Sequence, residues 1–499
     1  MSPYLEHIDK PQTNCGVIGV YNHPQASVMA YYALHSLQHR GQEAAGIVSS
    51  FYDAEKIKTK FYTHKDEGLV LDIFNEKILT DTLKGTAAIG HNRYSTTGGN
   101  SVANIQPFHI NYHMGNLALA HNGNLTNTRA LRKKLSEKGS IFQSTSDSEL
   151  FLHIIARSNK KTKVEQIKEA LQTVKGAFSL VVMTNNKLIA ARDPHGFRPL
   201  SIGRKKIGDT YAYFVASETC AFDILSAEYV RDVRHNEMIV IDKNTVSTGI
   251  ISSYKIEDVT PKAKQCVFEY IYFSRPDSKV FGHSVDKIRR KLGKKLAEQS
   301  PVGTDQEEKV VVIPVPDSGN TATLGYARVN QKQGIPTRYE IGLIRSHYVG
   351  RTFIAPGQES REFKVKTKFN VVKGVVEGRK IVVVDDSIVR GTTSRALIKM
   401  IREASPKEIH MRITSPPVKF PCRYGMDFPS KEELIANQLG SIEEISQYLG
   451  ADTLEYLSTE KLFEAVPHEE NIGYCDACFT GKYPVEIEAD SGKLLSEEL

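Results

Sequence analysis

The sequence predicts two domains, an antiparallel α+β domain followed by an α/β domain with a parallel sheet. The 499 residues, 40% of them hydrophobic, exceed what one hydrophobic core usually organises. In the first half, short apolar runs alternate with Gly, Asn and Asp, which is typical of antiparallel strands. Beyond about residue 260, continuous apolar runs alternate with helical segments. That pattern predicts a parallel sheet that is buried on both faces.

The individual elements follow from the same patterns. Residues 27–39 have apolar positions at helical spacing, with Ser27 as the expected N-cap and Gly41 just past the helix end. Such helices could cover the sheets as outer layers. We place the domain boundary in the polar segment 255–264. The expected strands are residues 16–20, 86–90, 117–120, 179–183, 211–216 and 238–241, then 309–315, 380–384 and 409–413.

Composition and charge exclude several classes of protein. The chain has 65 Lys and Arg against 58 Asp and Glu, and a net charge of +7 is too small for a dedicated nucleic-acid binder. No stretch approaches the roughly 18 apolar residues of a membrane span, and the first residues lack the apolar core of a signal peptide. We therefore expect a cytoplasmic protein that binds neither membranes nor nucleic acids. Six cysteines are too sparse for a disulfide framework.

The strongest local signal is the sequence IVVVDDSIVRGTTS at residues 381–394. An apolar strand runs into two acids and then into a loop of small polar residues that opens a helix. Backbone N–H groups at a helix N-terminus bind phosphate, and Asp385 and Asp386 suit ribose hydroxyls and Mg²⁺. Two acids alone would more often cap the helix, but the whole stretch resembles the signature of type I phosphoribosyltransferases, which bind phosphoribosyl pyrophosphate (PRPP). The resemblance implies PRPP contacts from Asp385, Asp386, Ser387, Arg390, Gly391, Thr392 and Thr393.

The same resemblance extends to PVPDSGNTATLGYA at residues 314–327. The first strand of the parallel sheet should end there. The resemblance implies that Ser318 joins Asp385 and Asp386 in holding one Mg²⁺ per subunit.

Residues 342–354, with the sequence GLIRSHYVGRTFI, suit a lid over the pyrophosphate. The segment combines Arg345, His347 and Arg351 with glycines and has little apolar periodicity. Closing such a loop would bring positive charge to the leaving group and exclude water. An ordinary surface loop is the alternative.

Cys15, in NCGVIGVYNH, is a weak signal alone, since a cysteine before a strand is more often a buried apolar residue. Four further segments change that: HRGQEAAG at 39–46, GHNRYSTTG at 90–98, LAHNGNL at 119–125 and STSDSE at 144–149. Together they resemble the N-terminal-nucleophile (Ntn) glutamine amidotransferases, whose domain has αββα layers.

The resemblance requires cleavage between Asn14 and Cys15, with residues 1–14 as a propeptide. A thiol of pKa near 8.5 is only about 3% thiolate at pH 7 and needs a base, which the freed α-amine of Cys15 supplies. The resemblance assigns the oxyanion hole to Asn122 and Gly123. For glutamine binding it implies Arg93 on the carboxylate, Asp147 on the ammonium, and Thr96 and His121 in the pocket.

Four other cysteines can form a metal centre. Cys475 and Cys478 form C-x-x-C, and Cys266 and Cys422 lie far upstream. Four thiolates can bind zinc or an iron–sulfur cluster, and spacing does not decide between them; a lone C-x-x-C can also be redox-active or buried. Cys220 is left over and is expected to be buried.

Both signatures in this order resemble the amidophosphoribosyltransferases, with residues 15–255 as the glutamine domain and 256–499 as the phosphoribosyltransferase domain. The resemblance implies that glutamine nitrogen displaces pyrophosphate from PRPP at the start of purine synthesis. It also implies one 4Fe–4S cluster per subunit on the four cysteines, a homotetramer and inhibition by purine nucleotides. The alternatives are a PRPP-sensing regulator without catalysis and a phosphoribosyltransferase acting on a nucleobase.

Overall fold

The computed structural model describes residues 15–94, 101–303, 309–346 and 368–488. Residues 15–255 are called the first half below, and residues 256–488 the second half. The strands of the first half are β1 Gly16–Tyr21, β2 Ala44–Asp53, β3 Lys58–Glu67, β4 Ala87–Arg93, β5 Phe108–Tyr112, β6 Gly115–Leu125, β7 Gly176–Thr184, β8 Leu188–Arg192, β9 Ser201–Ile207, β10 Thr210–Ala216, β11 Glu228–Asp232, β12 Glu237–Ile241 and β13 Ser252–Lys255. Its helices are α1 Ala26–Ser36, α2 Val70–Ile73, α3 Thr128–Glu137, α4 Glu149–Arg157, α5 Lys163–Thr173, α6 Cys220–Leu225 and α7 Lys243–Thr248.

Two antiparallel sheets form the centre of the first half. Their strand orders are β11-β9-β10-β1-β4-β2-β3 and β13-β12-β8-β7-β6-β5. Apolar side chains from both sheets, including Val17 and Val48 from one and Val181 and Met183 from the other, pack together between them. Helices α1 and α6 cover the outer face of the first sheet, and α4 and α5 cover the second. The arrangement confirms the predicted α+β class with αββα layers.

The predicted helix at residues 27–39 forms, but its predicted N-cap was wrong. The helix begins at Ala26 after Gln25, and Gln25 makes no side-chain capping bond. Ser27 lies inside the first turn, where its hydroxyl donates to the carbonyl oxygen of Leu83. The Ser27 hydroxyl therefore bonds to a residue distant in sequence instead of capping the helix.

The second half contains a five-stranded parallel sheet of order β18-β17-β21-β22-β23. Its strands alternate in the faces they present: Val310 and Val312 pack with α8 and α9, whereas Val311 and Ile313 pack with α11. Both faces are therefore buried, as predicted. The strands are β14 Ala263–Cys266, β15 Lys279–Val280, β16 His283–Ser284, β17 Val310–Pro314, β18 Thr337–Tyr339, β19 Leu343–Arg345, β20 Phe369–Val371, β21 Lys380–Asp385, β22 Glu408–Ile413, β23 Thr453–Tyr456 and β24 Ile472–Cys475. The helices are α8 Val285–Gln299, α9 Asn320–Lys332, α10 Lys373–Val376, α11 Thr392–Arg402, α12 Ile435–Gln438, α13 Ile442–Leu449, α14 Thr459–Ala465 and α15 Ala477–Thr480.

The C-terminal region is tied to the rest of the chain by strand pairing and side-chain contacts. Strand β24 pairs in parallel with β14, which sets Cys475 opposite Cys266. The carboxylate of Glu488 accepts the backbone N–H groups of Arg129 and Ala130 at the start of α3, at 3.1 and 3.2 Å. Among the described residues, no helix is long and apolar enough to cross a bilayer.

Candidate active site

Cys15 lies directly before β1, at the edge where β1 and β4 run side by side. Its thiol is buried and donates to the carbonyl oxygen of Tyr94 at 3.6 Å. Burial raises the pKa of the thiol to about 11, while the Tyr94 carbonyl bond and the positive charge of Arg93 act in the opposite direction. The thiol is therefore protonated at neutral pH, so an attack by sulfur requires a base.

Arg93 ends β4 and is buried beside the nucleophile candidate. Burial lowers the pKa of its guanidinium, and the neighbouring Cys15 and Glu43 oppose that shift. A buried guanidinium is suited to binding a substrate carboxylate. Thr96, the other pocket residue predicted from this segment, lies outside the described residues.

The residues predicted for the oxyanion hole lie on β6, which pairs with β7. The side-chain nitrogen of Asn122 is buried and makes no hydrogen bond within the described part of the chain. Gly123 has φ of +154°, and a Cβ at that position would come within 2.0 Å of the Ala177 carbonyl oxygen. Only glycine fits there, and a buried amide donor beside it is available to a ligand oxygen.

Asp147 is attached to the same strand. One carboxylate oxygen accepts the Leu125 backbone N–H at 2.9 Å, and the other accepts the Ser148 hydroxyl at 3.1 Å. The Ser148 hydroxyl also lies 2.8 Å from Nδ1 of His121, and burial lowers the pKa of that imidazole. His121 is thus fixed on β6 through Ser148, and Asp147 lies close enough for its charge to influence the Cys15 thiol.

Electrostatics connect these positions into one site. The charges of Arg93, Glu43 and Asp147 all influence the pKa of the Cys15 thiol. Three of the four residues were predicted from the sequence. Glu43 was not assigned, although it lies in the HRGQEAAG segment that was singled out.

A second cluster forms at the carboxyl ends of the neighbouring strands β17 and β21. Asp386 accepts hydrogen bonds from the hydroxyls of Ser318 and of Ser387, the latter at 2.6 Å. Its backbone N–H donates to Asp385 at 2.9 Å. Both carboxylates are buried. The structure therefore brings together Ser318, Asp385 and Asp386 from two separate loops.

The loop after the acid pair opens α11. Gly391 precedes the helix with φ of +79°, and a Cβ there would approach Cδ1 of Ile435 to 2.4 Å. Thr392 and Thr393 form the first turn of this eleven-residue helix, and Arg390 pairs with Glu433 at 3.3 Å. The first turn exposes backbone N–H groups of the kind that bind phosphate.

Arg345, predicted for a lid, ends a short ribbon in which β19 pairs with β20. Its guanidinium contacts the carboxylate of Asp317 at 2.9 Å, and both side chains are about half exposed. This places one predicted lid residue beside the loop that carries Ser318. His347 and Arg351 lie outside the described residues.

A buried ionic network joins the two halves. Arg40 contacts Glu218 and, at 2.5 Å, Glu269, and Arg198 contacts Glu269 at 3.4 Å. All four side chains are fully buried. Sequence reasoning missed this network, because a buried ion pair between distant segments leaves no periodic pattern.

Comparison with known proteins identifies the family. Residues 91–223 match a family described as glutamine amidotransferase domain. A relative from Arabidopsis thaliana, amidophosphoribosyltransferase 1, chloroplastic, is 50% identical over 96% of this chain and 80% of its own length. The chain belongs to the amidophosphoribosyltransferases.

Two solved structures have the same fold over nearly the whole chain. One, described as the allosteric regulatory enzyme of purine biosynthesis, is 47% identical, covers 96% of this chain and 98% of its own, and has a TM-score of 0.85. The other is glutamine PRPP amidotransferase from B. subtilis complexed with ADP and GMP, 47% identical over 96% of this chain and 99% of its own, with a TM-score of 0.84. This amidophosphoribosyltransferase is thus an enzyme of purine biosynthesis, as its sequence predicted.

The acid pair of this amidophosphoribosyltransferase is suited to magnesium. Mg²⁺ is usually held by one or two carboxylates together with water and substrate phosphates. Asp385, Asp386 and the Ser318 hydroxyl would be the protein's oxygen ligands, and they already contact one another. No group of three or more His, Cys, Asp or Glu within the described ranges is arranged to hold an ion. The remaining ligands of a magnesium ion would come from the substrate.

The four cysteines predicted to bind a cluster converge at the join between the halves. Cys266 and Cys475 face each other on β14 and β24, and Cys478 follows in α15. The sulfur of Cys422 accepts the Tyr424 backbone N–H at 3.3 Å. Burial raises the pKa of the Cys266 thiol to about 12 and the pKa values of Cys475 and Cys478 well above their usual range. The four cysteines are also close enough that ionisation of one would disfavour ionisation of another.

The residue types of this set suit a thiolate-ligated centre, but the four cysteines are among the described residues that are not arranged to hold an ion in this structure. The thiols form no disulfide, all but Cys422 are buried, and the buried cation Arg198 lies near Cys266 and Cys422. A metal would displace their protons and remove the cost of burying thiolates. Cys220, which was left out of this set, is buried at the start of α6 as predicted.

Proposed function

We propose that the first half of this amidophosphoribosyltransferase hydrolyses glutamine at Cys15 and that the second half uses the released ammonia to displace pyrophosphate from PRPP. The products are glutamate, pyrophosphate and 5-phosphoribosylamine. The observation that carries the proposal is the buried amide nitrogen of Asn122, which makes no hydrogen bond among the described residues. Asn122 lies on β6, to which Asp147 is bonded through the Leu125 N–H, and the charges of Asp147 and Arg93 both influence the Cys15 thiol. A buried donor without a partner costs free energy unless it serves a ligand, and a developing oxyanion is such a ligand.

The reaction begins with glutamine bound by its two charged groups. Arg93 takes the α-carboxylate and Asp147 takes the α-ammonium, while Thr96 and His121 complete the pocket. Glutamate lacks the carboxamide nitrogen and cannot continue. These contacts leave the side-chain carbonyl next to the thiol of Cys15.

Attack by the sulfur requires loss of the thiol proton. We propose that residues 1–14 are removed, which frees the α-amine of Cys15 to take that proton. The C–S bond then forms as the carbonyl oxygen becomes an oxyanion, held by the Asn122 amide and the Gly123 N–H. Collapse breaks the C–N bond, the proton passes to the leaving nitrogen, and ammonia departs. Water then hydrolyses the thioester to glutamate.

In the second half, Ser387, Arg390, Gly391, Thr392 and Thr393 would bind the 5′-phosphate of PRPP at the start of α11. Asp385 and Asp386 would accept hydrogen bonds from the ribose hydroxyls. Bound Mg²⁺ would neutralise pyrophosphate charge, with Ser318, Asp385 and Asp386 as its protein ligands. Arg345, His347 and Arg351 would cover the pyrophosphate and exclude water, as a lid does.

Ammonia must reach PRPP before it takes up a proton, since ammonium has no lone pair for attack. A closed passage between the sites would meet that need. We therefore propose that PRPP binding stimulates glutamine hydrolysis. Equal rates of hydrolysis with and without PRPP would argue against such coupling.

The proposed partners and cofactors go beyond the substrates. The four cysteines would hold a 4Fe–4S cluster with a structural task, and iron and sulfide analysis on anaerobically purified protein checks this; one zinc per chain would refute it. Purine nucleotides are proposed inhibitors, since the B. subtilis structure contains ADP and GMP. The homotetramer stays a prediction. The cytoplasmic location also stays a prediction, and the relative from Arabidopsis thaliana is named as chloroplastic.

The deciding experiment measures pyrophosphate release from PRPP and Mg²⁺ with glutamine or with ammonia. Cys15→Ala should lose turnover with glutamine and retain turnover with ammonia, because only the first half is disabled. A wild-type protein without either activity would favour the PRPP-sensing regulator. Pyrophosphate release with adenine, guanine or uracil in place of glutamine would favour a nucleobase phosphoribosyltransferase.

A further inference from the structure

A short segment of the second half lies directly on the strand that carries the oxyanion-hole candidates. A Cβ on Gly425 would lie 2.9 to 3.1 Å from three backbone atoms of Gly123. One residue further along β6, the side-chain amide of Asn124 donates to the Arg423 carbonyl oxygen at 3.0 Å. The backbones of the two halves therefore touch at the predicted oxyanion donor.

The contact depends on two glycines. Gly425 has φ of +102°, in the region that favours glycine, and Gly123 has φ of +154°. Any side chain on Gly425 would have to push the Gly123 backbone aside or withdraw the segment that carries it. A displacement of that size is significant, because donors to an oxyanion act only within about 2.7–3.1 Å of its position.

Two residues of the first half hold the segment in place. Arg198 donates to the Tyr424 carbonyl oxygen from Nε at 3.0 Å and from Nη2 at 2.6 Å. The Tyr424 ring stacks on Phe197, with centroids 4.3 Å apart and planes 15° apart. Phe197 and Arg198 both belong to the sequence ARDPHGFRPL at residues 191–200, which has no role in the catalytic steps proposed above. Arg198 is itself fixed by Glu269 in the buried network.

We propose that Tyr424 and Gly425 are positioning residues for the Gly123 donor, so that the second half completes the oxyanion hole of the first. This inference rests on the proposed role of Gly123 in glutamine hydrolysis. Phe197 and Arg198 fix Tyr424 by ring stacking and hydrogen bonds, and the next residue, Gly425, lies against the Gly123 backbone. Glutamine hydrolysis therefore depends on a segment that is distant in sequence and contributes no group to the substrate.

Gly425→Ala tests the inference. Glutamine-dependent kcat should fall about 10- to 100-fold, since misplacing a reacting group by about 1 Å costs on that order. The KM for glutamine and the ammonia-dependent rate should stay within about twofold, because Arg93, Asp147 and the PRPP site are untouched. Glutamate γ-semialdehyde, whose adduct with Cys15 carries a tetrahedral oxyanion, should bind more weakly by the same factor while glutamate binding is unchanged.

Gly334→Ala is the matched control. Gly334 has φ of +79° and no atom within 4 Å of its Cβ position, so the variant introduces the same backbone strain without a contact. If Gly425→Ala behaves like Gly334→Ala in glutamine-dependent kcat and in aldehyde binding, the inference is overturned.

Asn124→Ala provides a second variant in case Gly425→Ala does not fold. It removes the hydrogen bond to Arg423 at 3.0 Å together with a longer one to the Leu125 carbonyl oxygen at 3.4 Å. It should lower glutamine-dependent kcat severalfold with ammonia-dependent turnover intact, and an unchanged kcat would again overturn the inference. Comparison of wild type with Cys15→Ala distinguishes a failure of the proposed function from a failure of the positioning role. If Cys15→Ala retains glutamine-dependent turnover, the proposed function fails; if it loses that turnover and Gly425→Ala does not, only the positioning role fails.

Discussion

The two candidate sites are built in different ways. In the first half, Arg93 and Asn122 are carried by paired strands, and their side chains are buried. In the second half, Asp385 ends a strand, the next candidates lie in the following loop and the first turn of α11, and Asp317 and Arg345 are about half exposed. These two glutamine-site candidates are therefore held within a sheet, whereas the PRPP-site candidates lie where a strand, a loop and a helix meet.

The difference teaches where each site is vulnerable. A strand-borne oxyanion hole depends on backbone placement, and its tolerance for displacement is small. An acid pair that shares ligands with a substrate depends on charge. The buried network of Arg40, Glu218, Glu269 and Arg198 joins the two halves that carry these sites.

The largest effect is expected from removing charge at the PRPP site. Asp386→Asn should lower pyrophosphate release about 10³-fold with either nitrogen source, because metal-assisted charge stabilisation contributes several kcal/mol. Hydrolysis of glutamine measured without PRPP should be unchanged. Asp209→Asn, in an exposed turn between β9 and β10, is the control. An equal loss in the PRPP-free assay would contradict the separation of the two sites.

The second effect concerns the join between the halves. Arg40→Met removes the cation that Glu218 and Glu269 share and leaves these buried carboxylates with only His39 and Arg198, which should destabilise the protein by about 3–5 kcal/mol. The midpoint of urea unfolding measures this. Arg204→Met removes the exposed pair with Glu228 and should cost under about 1 kcal/mol. Similar midpoints for the two variants would show that the network does not hold the halves together.

Loss of the oxyanion donor comes third. Asn122→Ala should lower glutamine-dependent kcat about 10²- to 10³-fold with little change in KM, because the donor acts in the transition state. Steady-state kinetics with glutamine and with ammonia separate the effects. A rise in KM at constant kcat would instead make Asn122 a residue for binding glutamine.

The reactivity of Cys15 should rise steeply with pH. Its thiol pKa is raised to about 11, so the reactive thiolate increases about tenfold per pH unit below that value. Iodoacetamide labelling of the Cys15 peptide, followed by mass spectrometry between about pH 6 and pH 9, measures this slope. A plateau below pH 8 would mean that the freed amine or a bound ligand lowers the pKa of the thiol.

The smallest effect is expected at the exposed pair of the PRPP site. Arg345→Gln should raise the KM for PRPP about three- to tenfold with both nitrogen sources, as the loss of one exposed cation contact implies. Glutamine hydrolysis without PRPP should not change. If only glutamine-dependent turnover changes, Arg345 serves communication between the sites and not PRPP binding.

Much of the fold and of the family was predictable from local patterns. The apolar runs of the first half predicted β1, β4, β6, β7, β10 and β12, and the continuous runs of the second half predicted β17, β21 and β22 of the parallel sheet. The other strands of the two antiparallel sheets, which are β2, β3, β5, β8, β9, β11 and β13, were not predicted. Strand β23, with the sequence TLEY, was not predicted because a segment of four residues, two of them polar, shows no clear hydrophobic periodicity. The N-cap of α1 was wrong because the Ser27 hydroxyl binds the distant Leu83 carbonyl oxygen instead.

The sequence by itself determined the two-domain order, the family and the candidate residues, because strand periodicity and loop motifs are local properties of the chain. Only the tertiary structure decided which of these residues meet. Arg40 and Glu269 are 229 positions apart, and Gly123 and Gly425 touch across the two halves. Contacts of that kind arise when separate layers pack, and no local pattern encodes them. The dependence of the glutamine site on the second half is therefore a property of the packed molecule.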